Sequence, residues 1–149
     1  MVDLDEAVDN KVVPGREIEQ RVRHAGLRPT RQRIALAELL FAQGDRHISA
    51  EELHEEAQGA GVVVSLATVY NALHQFTRAG LLRIVAVEGV RTYFDTNTSD
   101  HHHFYIEEEN RVVDIDTGPV SVVNLPEPPA GMEIANVDII VRLRRKRGV

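Results

Sequence analysis

The 149-residue chain contains no cysteine and no tryptophan, and the first of these absences closes off several kinds of chemistry. Without cysteine there is no disulfide scaffold, thiolate zinc site, iron–sulfur cluster or cysteine nucleophile. Aromatic residues make up only 5% of the chain, and lysine is nearly missing, with two Lys against 15 Arg. No apolar run exceeds a few residues, so the sequence offers no transmembrane span. The acidic start MVDLDEAVDN lacks the basic and apolar regions of a signal peptide, which makes a soluble, cytoplasmic protein the expectation. A hydrophobic content of 43% is enough for one domain of ordinary size or two small ones.

A net charge of −6 speaks against indiscriminate nucleic-acid binding, but the charge is unevenly placed. Between Arg16 and Arg33 six Arg face two Glu, whereas acidic groups collect at Asp3 to Asp9, Glu51 to Glu56 and Asp100 to Asp116. The basic run Arg142 to Arg147 reads as a solvated tail.

Along the chain, an aperiodic acidic arm gives way at Arg16 to a short amphipathic helix that stops at Ala25-Gly26. Thr30 reads as the N-cap of a second helix with Ile34, Ala37, Leu40 and Phe41 on its apolar face. Ser49 and Glu52 make a capping box for a third, which buries Leu53 and Ala57. Ser65 caps a fourth, with Leu66, Val69, Leu73 and Phe76 in its stripe. A hairpin around Glu88-Gly89 follows, and four helices then a hairpin is the order of a winged helix-turn-helix. A generic small α+β domain has the same periodicity. Beyond the polar hinge TNTSD come strands from His101 to Ile106 and Arg111 to Asp116. The stretch Pro119 to Pro129 has room for at most one short helix, and Val137, Ile139, Val141 and Leu143 alternate as a last strand. The expected organisation is α+β: an arm over 1–15, a winged-helix domain over 16–96, and a small α/β dimerisation domain over 97–149. The last is too small to bury a comfortable core alone.

On the fourth helix, Ala67, Thr68, Tyr70, Asn71, His74 and Arg78 occupy the face opposite the apolar stripe. Small and hydrogen-bonding side chains let a helix sit close in a major groove, where an ordinary solvated face would carry Glu and Lys. Arg28, Arg31, Arg33 and the hairpin's Arg91 are placed to hold phosphates. The run Asp100-His101-His102-His103 is the most unusual feature. In a strand His101 and His103 share a face and His102 points away. His47, Asp95 and Asp114 lie nearby in the order of elements, and such ligands suit zinc, ferrous iron or manganese, or haem iron through histidine alone. Glu107 to Glu109 reads as a charged turn.

The segments AGLRPTRQR, HISAEEL, SLATVYNALHQFTRAGLL, EGVRTYF and HHHFYI, in this order and spacing, closely resemble the ferric uptake regulator family over about Ala25 to Asp116. The missing CxxC pairs together with the HHH run resemble the haem-responsive iron response regulator branch. The resemblance implies an inter-domain metal site of His47, Asp95 in place of the usual Glu, His101 and His103. It further implies recognition-helix contacts at Thr68, Tyr70 and Asn71, the last standing where many relatives have Arg, and a basic minor-groove residue at Arg28. The DNA-contacting set expected overall is Arg28, Thr68, Tyr70, Asn71, Arg78 and Arg91, with His101, His102 and His103 as haem ligands. The family's four-cysteine zinc site has no counterpart. Its other dimer-domain site is also broken, because His102 matches one ligand but Val137 replaces a His and no Glu stands near Ser121. The Cys-Pro haem motif of some relatives is absent as well.

The implied function is a homodimeric, iron- or haem-responsive transcriptional regulator on AT-rich palindromic DNA, with a divalent metal (Zn, Mn or Fe) or haem as effector. The alternatives are a regulator sensing Mn or Zn, and a haem or metal storage protein. A His/carboxylate metalloenzyme has no HExxH-like signature to support it.

Overall fold

The computed structural model describes residues 14–87, 91–116 and 120–148. The expected arm lies outside the described residues except for Pro14 and Gly15, and so do the hairpin turn Glu88-Gly89 and Pro119. Helix α1 (Pro14–His24) begins two residues earlier than the sequence indicates, with Pro14 in the first turn, where its missing N–H costs nothing. Helix α2 (Arg31–Phe41) is capped by Thr30, and α4 (Leu66–Arg78) by Ser65. Helix α3 (Ala50–Gly59) carries the full Ser49/Glu52 capping box. In each case a side-chain oxygen replaces the carbonyl that the first N–H groups lack.

The main core joins these helices through Val22, Leu36, Leu40, Leu53, Val69, Leu73 and Phe76, with Ile48 and Phe94 from the adjoining sheet. Two expected core positions shift. Leu36, not Ile34, is fully buried, because the inward stripe of α2 runs through Leu36, Ala37 and Leu40 at i, i+1 and i+4. Leu66 is 37% exposed, being the first residue of α4 and ahead of the turn that packs.

Strands β1 (His47–Ser49), β2 (Arg83–Val85) and β3 (Tyr93–Asp95) form an antiparallel sheet in the order β1-β3-β2. β2 and β3 are the expected hairpin. β1 was not expected, since three residues are too few to show a period. A second sheet holds β4 (His103–Ile106), antiparallel to β5 (Arg111–Asp114) and parallel to β6 (Ile140–Leu143). All three strands are shorter than the sequence implies: His101 and His102 precede β4, Ile115 and Asp116 follow β5, and Val137 and Ile139 precede β6. Residues 120–139 contain no helix or strand. The short helix for which Pro119 to Pro129 leave room is not formed among the described residues, because Pro126, Pro128 and Pro129 supply no N–H to propagate one.

A smaller cluster of Val85, Tyr93, Tyr105 and Val112 ties the two sheets together, and the hydroxyls of Tyr93 and Tyr105 both bond Asn110. Asn110 is left-handed at φ 46°, a conformation Asn tolerates, and it closes the 3₁₀ turn Glu107–Glu109. The basic C-terminal run is not a free tail: Arg142 pairs with Glu107, and Arg145 with Glu108 and Glu109. No helix among the described residues is long and apolar enough to cross a membrane.

Candidate metal centre and nucleic-acid face

Two cross-strand pairs, one from each sheet, build the metal-site candidate. His47 stands opposite Asp95 in the β1·β3 ladder, and His103 opposite Asp114 in the β4·β5 ladder. His101 joins them from the connecting loop by a succession of short-range turns. Asp95 Oδ1 accepts from the Asn97 N–H at 2.9 Å, and Asn97 Oδ1 accepts from the Ser99 N–H at 3.0 Å. The Ser99 carbonyl then accepts from His101 Nδ1 at 2.6 Å. Asp and Asn side chains favour these two-residue steps, and the result folds His101 back over Asp95. His101 is therefore delivered by a curled loop and not by the strand alternation expected of it.

Five side-chain atoms converge within 4.8 Å of one another: the Nε2 atoms of His47, His101 and His103, Asp95 Oδ2 and Asp114 Oδ1. Every imidazole nitrogen touches both carboxylates, at 3.1, 2.7 and 3.0 Å from Asp95 and 2.8, 3.2 and 3.3 Å from Asp114. Three imidazole nitrogens and two carboxylate oxygens gathered this closely would be able to hold one divalent cation. His47 Nε2 and Asp114 Oδ1 are buried without a hydrogen-bond partner although they stand 2.8 Å apart, so they aim at a common point and not along a bond to each other.

The protonation of the cluster agrees. A carbonyl oxygen only accepts, so the contact with Ser99 places the His101 proton on Nδ1 and turns the Nε2 lone pair toward the carboxylates. Such a lone pair beside an ionised oxygen is repelled unless a proton or a cation lies between them. Burial alone would lower the pKa of His47, but the ionised carboxylates of Asp95 and Asp114 beside it outweigh that effect and raise it above the ordinary histidine value. His101 moves the same way: burial opposes, and the Ser99 carbonyl with Asp95 and Asp114 prevails. Burial would raise Asp95, yet the hydrogen bonds of His103 and the Asn97 N–H, with the charge of His47, hold it well below the usual carboxylate range.

The structure thus brings together all four residues of the expected metal set and adds Asp114. The sequence had named Asp114 among nearby ligands but left it out of the four-residue set, since only the β4·β5 register puts it opposite His103. His102 stands apart: its Nδ1 accepts from the Ile139 N–H at 3.2 Å. It borders a groove of about 310 Å³ lined in part by Val120, Val122, Leu125, Val137 and Ile139.

On the helical side, Asn71, His74 and Arg78 are exposed on α4, while Thr68 and Tyr70 are half-buried. Arg28 and Arg31 are exposed, and Arg28, Thr68 and Asn71 share a concave surface of about 380 Å³. Arg33 is engaged within the protein. Its Nη2 and Nε hold Gln75 Oε1 at 2.7 and 3.2 Å, and its Nη1 holds the Arg28 carbonyl at 3.0 Å. It braces α2 against α4. Arg91 lies 3.8 Å from Glu52 at the root of the wing.

The ferric uptake regulator family profile matches residues 24–142. Among curated relatives, the ferric uptake regulation protein of Vibrio anguillarum is 39% identical over 83 residues, 56% of this chain and 56% of that one. The Pseudomonas aeruginosa protein of that name is 36% identical over 99 residues, 66% of this chain and 69% of its own. The chain spans little more than half the length of the first of these relatives. Of solved structures, the ferric uptake regulator from Pseudomonas aeruginosa with manganese superposes with a TM-score of 0.64 at 25% identity, covering 86% of this chain and 97% of that one. The Vibrio cholerae regulator shares the fold with a TM-score of 0.67 at 24% identity over 85% and 98% of the two chains. The chain belongs to the ferric uptake regulator family.

Proposed function

We propose that this protein is a homodimeric transcriptional regulator, not an enzyme, that binds operator DNA through α4 and responds to a divalent cation. The cation site is His47, Asp95, His101, His103 and Asp114. The observation that carries the proposal is that its donors come from both sheets: His47 and Asp95 from the sheet packed on the DNA-reading helices, His103 and Asp114 from the second. Three neutral imidazoles and two carboxylates suit zinc, ferrous iron or manganese, and a bound cation supplies the positive charge that the two carboxylates face. Ligation by residues of both sheets fixes one angle between them. In a dimer that angle sets the separation of the two α4 helices, which has to match the spacing of half-sites on a palindrome.

Thr68, Tyr70 and Asn71 read base edges in this proposal, and Arg28, Arg78 and Arg91 hold the backbone. A mobility-shift titration of operator-containing DNA with Mn²⁺, Zn²⁺ or Fe²⁺, and then with chelator, tests it. Metal-dependent retardation that His103→Ala abolishes is expected, and retardation indifferent to both metal and chelator would sink the cation-response reading.

The finer assignment, an iron response regulator with haem as effector, draws support from the HHH run and from the groove beside His102, where aliphatic side chains stand alongside Asp100 and Asn136. Accepting from Ile139 puts the neutral His102 proton on Nε2, so ligation of haem iron by His102 Nε2 requires that bond to be exchanged. An absorption titration with haem, comparing wild type with His102→Ala, tests this assignment separately from the cation site.

A further inference from the structure

Tyr70 sits in the second turn of α4, in the N-terminal part of the helix that a helix-turn-helix presents to bases. Its hydroxyl donates to Glu51 Oε1, on the first turn of α3, at 2.6 Å. The second oxygen, Glu51 Oε2, is buried without a hydrogen-bond partner. The carboxylate therefore offers a strong acceptor that holds the Tyr70 proton.

A phenol has one proton to give. With that proton committed to Glu51, the oxygen of Tyr70 presents only lone pairs to whatever lies in front of α4. In the major groove, adenine N6 and cytosine N4 carry amino donors, whereas guanine O6 and thymine O4 are acceptors. We infer that Glu51 is a positioning residue that makes Tyr70 an acceptor-only reader, selecting a base with an amino group over one with a keto group at the operator position Tyr70 faces. The inference rests on the proposal that α4 reads the groove.

The surroundings maintain the arrangement. The Tyr70 hydrogen bond, against an opposing effect of burial, and attraction from Arg91 hold the Glu51 carboxyl below its ordinary value, so it stays an acceptor across the neutral range. Tyr70 shifts upward, first through its bond to Glu51 and then through burial, so its proton is retained. The backbone places Glu51 two residues after Ser49, which pairs with Tyr93 and caps α3, so the carboxylate is anchored by a sheet and a capping box and not by a mobile loop.

The test is selection from a randomised duplex library by the full-length protein in manganese-containing buffer, followed by sequencing. Wild type is compared with Glu51→Gln, Glu51→Ala, Tyr70→Phe, the double variant Tyr70→Phe/Glu51→Ala, and Asn71→Ala. Glu51→Ala frees the phenol proton to rotate and donate, so the preference for amino-bearing over keto-bearing bases should fall roughly three- to tenfold in one column, other columns staying put, whereas Glu51→Gln retains an amide oxygen that accepts the proton and should lose less of it. Tyr70→Phe should erase that column's amino-over-keto preference, and adding Glu51→Ala to it should change nothing further. A uniform loss of affinity in the Glu51 variants with no column altered would overturn the inference and leave Glu51 a purely structural residue. If neither Tyr70→Phe nor Asn71→Ala alters any column, the groove-reading proposal for α4 falls, and this inference with it. Altered columns for Asn71→Ala with an unmoved Glu51 column overturn the inference alone.

Discussion

His103 and Asp114 are register partners across the β4·β5 ladder, and their side chains meet with Nε2 3.3 Å from Oδ1. His47 and Asp95 have the same relationship in the other sheet at 3.1 Å. A cross-strand pair has its separation set by the backbone ladder, so little side-chain freedom is lost when it closes on a ligand. The cluster is preorganised on rigid elements, with only His101 supplied by a loop.

This arrangement makes the ligands separable by titration calorimetry with Mn²⁺ or Zn²⁺. Alanine at His47, His101, His103 or Asp114 should each lower affinity by at least about 100-fold, since loss even of a partner to a ligand costs 10- to 100-fold. His102→Ala should leave that affinity unchanged. Equal, small losses for His101, His102 and His103 would mean an undifferentiated histidine patch.

The raised pKa values of His47 and His101 give opposite pH dependences for metal affinity and for metal-free stability. Cation binding must displace their protons, so affinity rises as pH increases through the elevated values. In the metal-free protein the imidazolium–carboxylate attraction is fully present below the ordinary histidine value of 6.5 and is lost as pH rises through the folded-state values. Thermal melts with chelator should therefore show a midpoint that declines from slightly acid to alkaline pH, and added Mn²⁺ should reverse the trend. Asp95, shifted down, contributes stability above the ordinary carboxylate range that is lost only in strong acid.

Arg28 and Arg33 should behave differently despite lying five residues apart. Arg28→Ala, at an exposed position, should reduce the salt dependence of DNA binding by about one unit. Arg33→Met removes the brace to Gln75 and to the Arg28 carbonyl, and should cost about 1–2 kcal/mol of stability in urea melts. A lost phosphate contact for Arg33, read as a reduced salt slope without destabilisation, would contradict its placement.

Val122, Val123, Leu125 and Ile134 are exposed on a segment without regular structure, Val123 to 76%. Water-facing aliphatics in this number mark a surface that buries itself against another molecule, and a second copy of the chain is the occupant the proposed dimer requires. Sedimentation at micromolar concentration should give twice the chain mass, and Leu125→Glu should shift it toward the monomer. A wild-type monomer that binds operator DNA tightly would refute the dimer.

The sequence by itself determined the four helices and their caps, because Thr30, Ser49 and Ser65 act through hydrogen bonds spanning three residues. Local chemistry of that kind is written in local order. The hairpin β2–β3 was legible for the same reason, and so was the coming together of His47, Asp95, His101 and His103, through an ordered set of motifs. The tertiary structure alone decided what depends on register between distant segments. It placed Asp114 opposite His103, showed a three-residue β1 too short to have a period, and turned Arg33 toward Gln75, 42 residues away. It likewise folded the tail's Arg142 and Arg145 onto Glu107 to Glu109. Pairings of this kind are fixed by which sheet edges and helix faces meet, a property of the packed chain that no window of sequence contains.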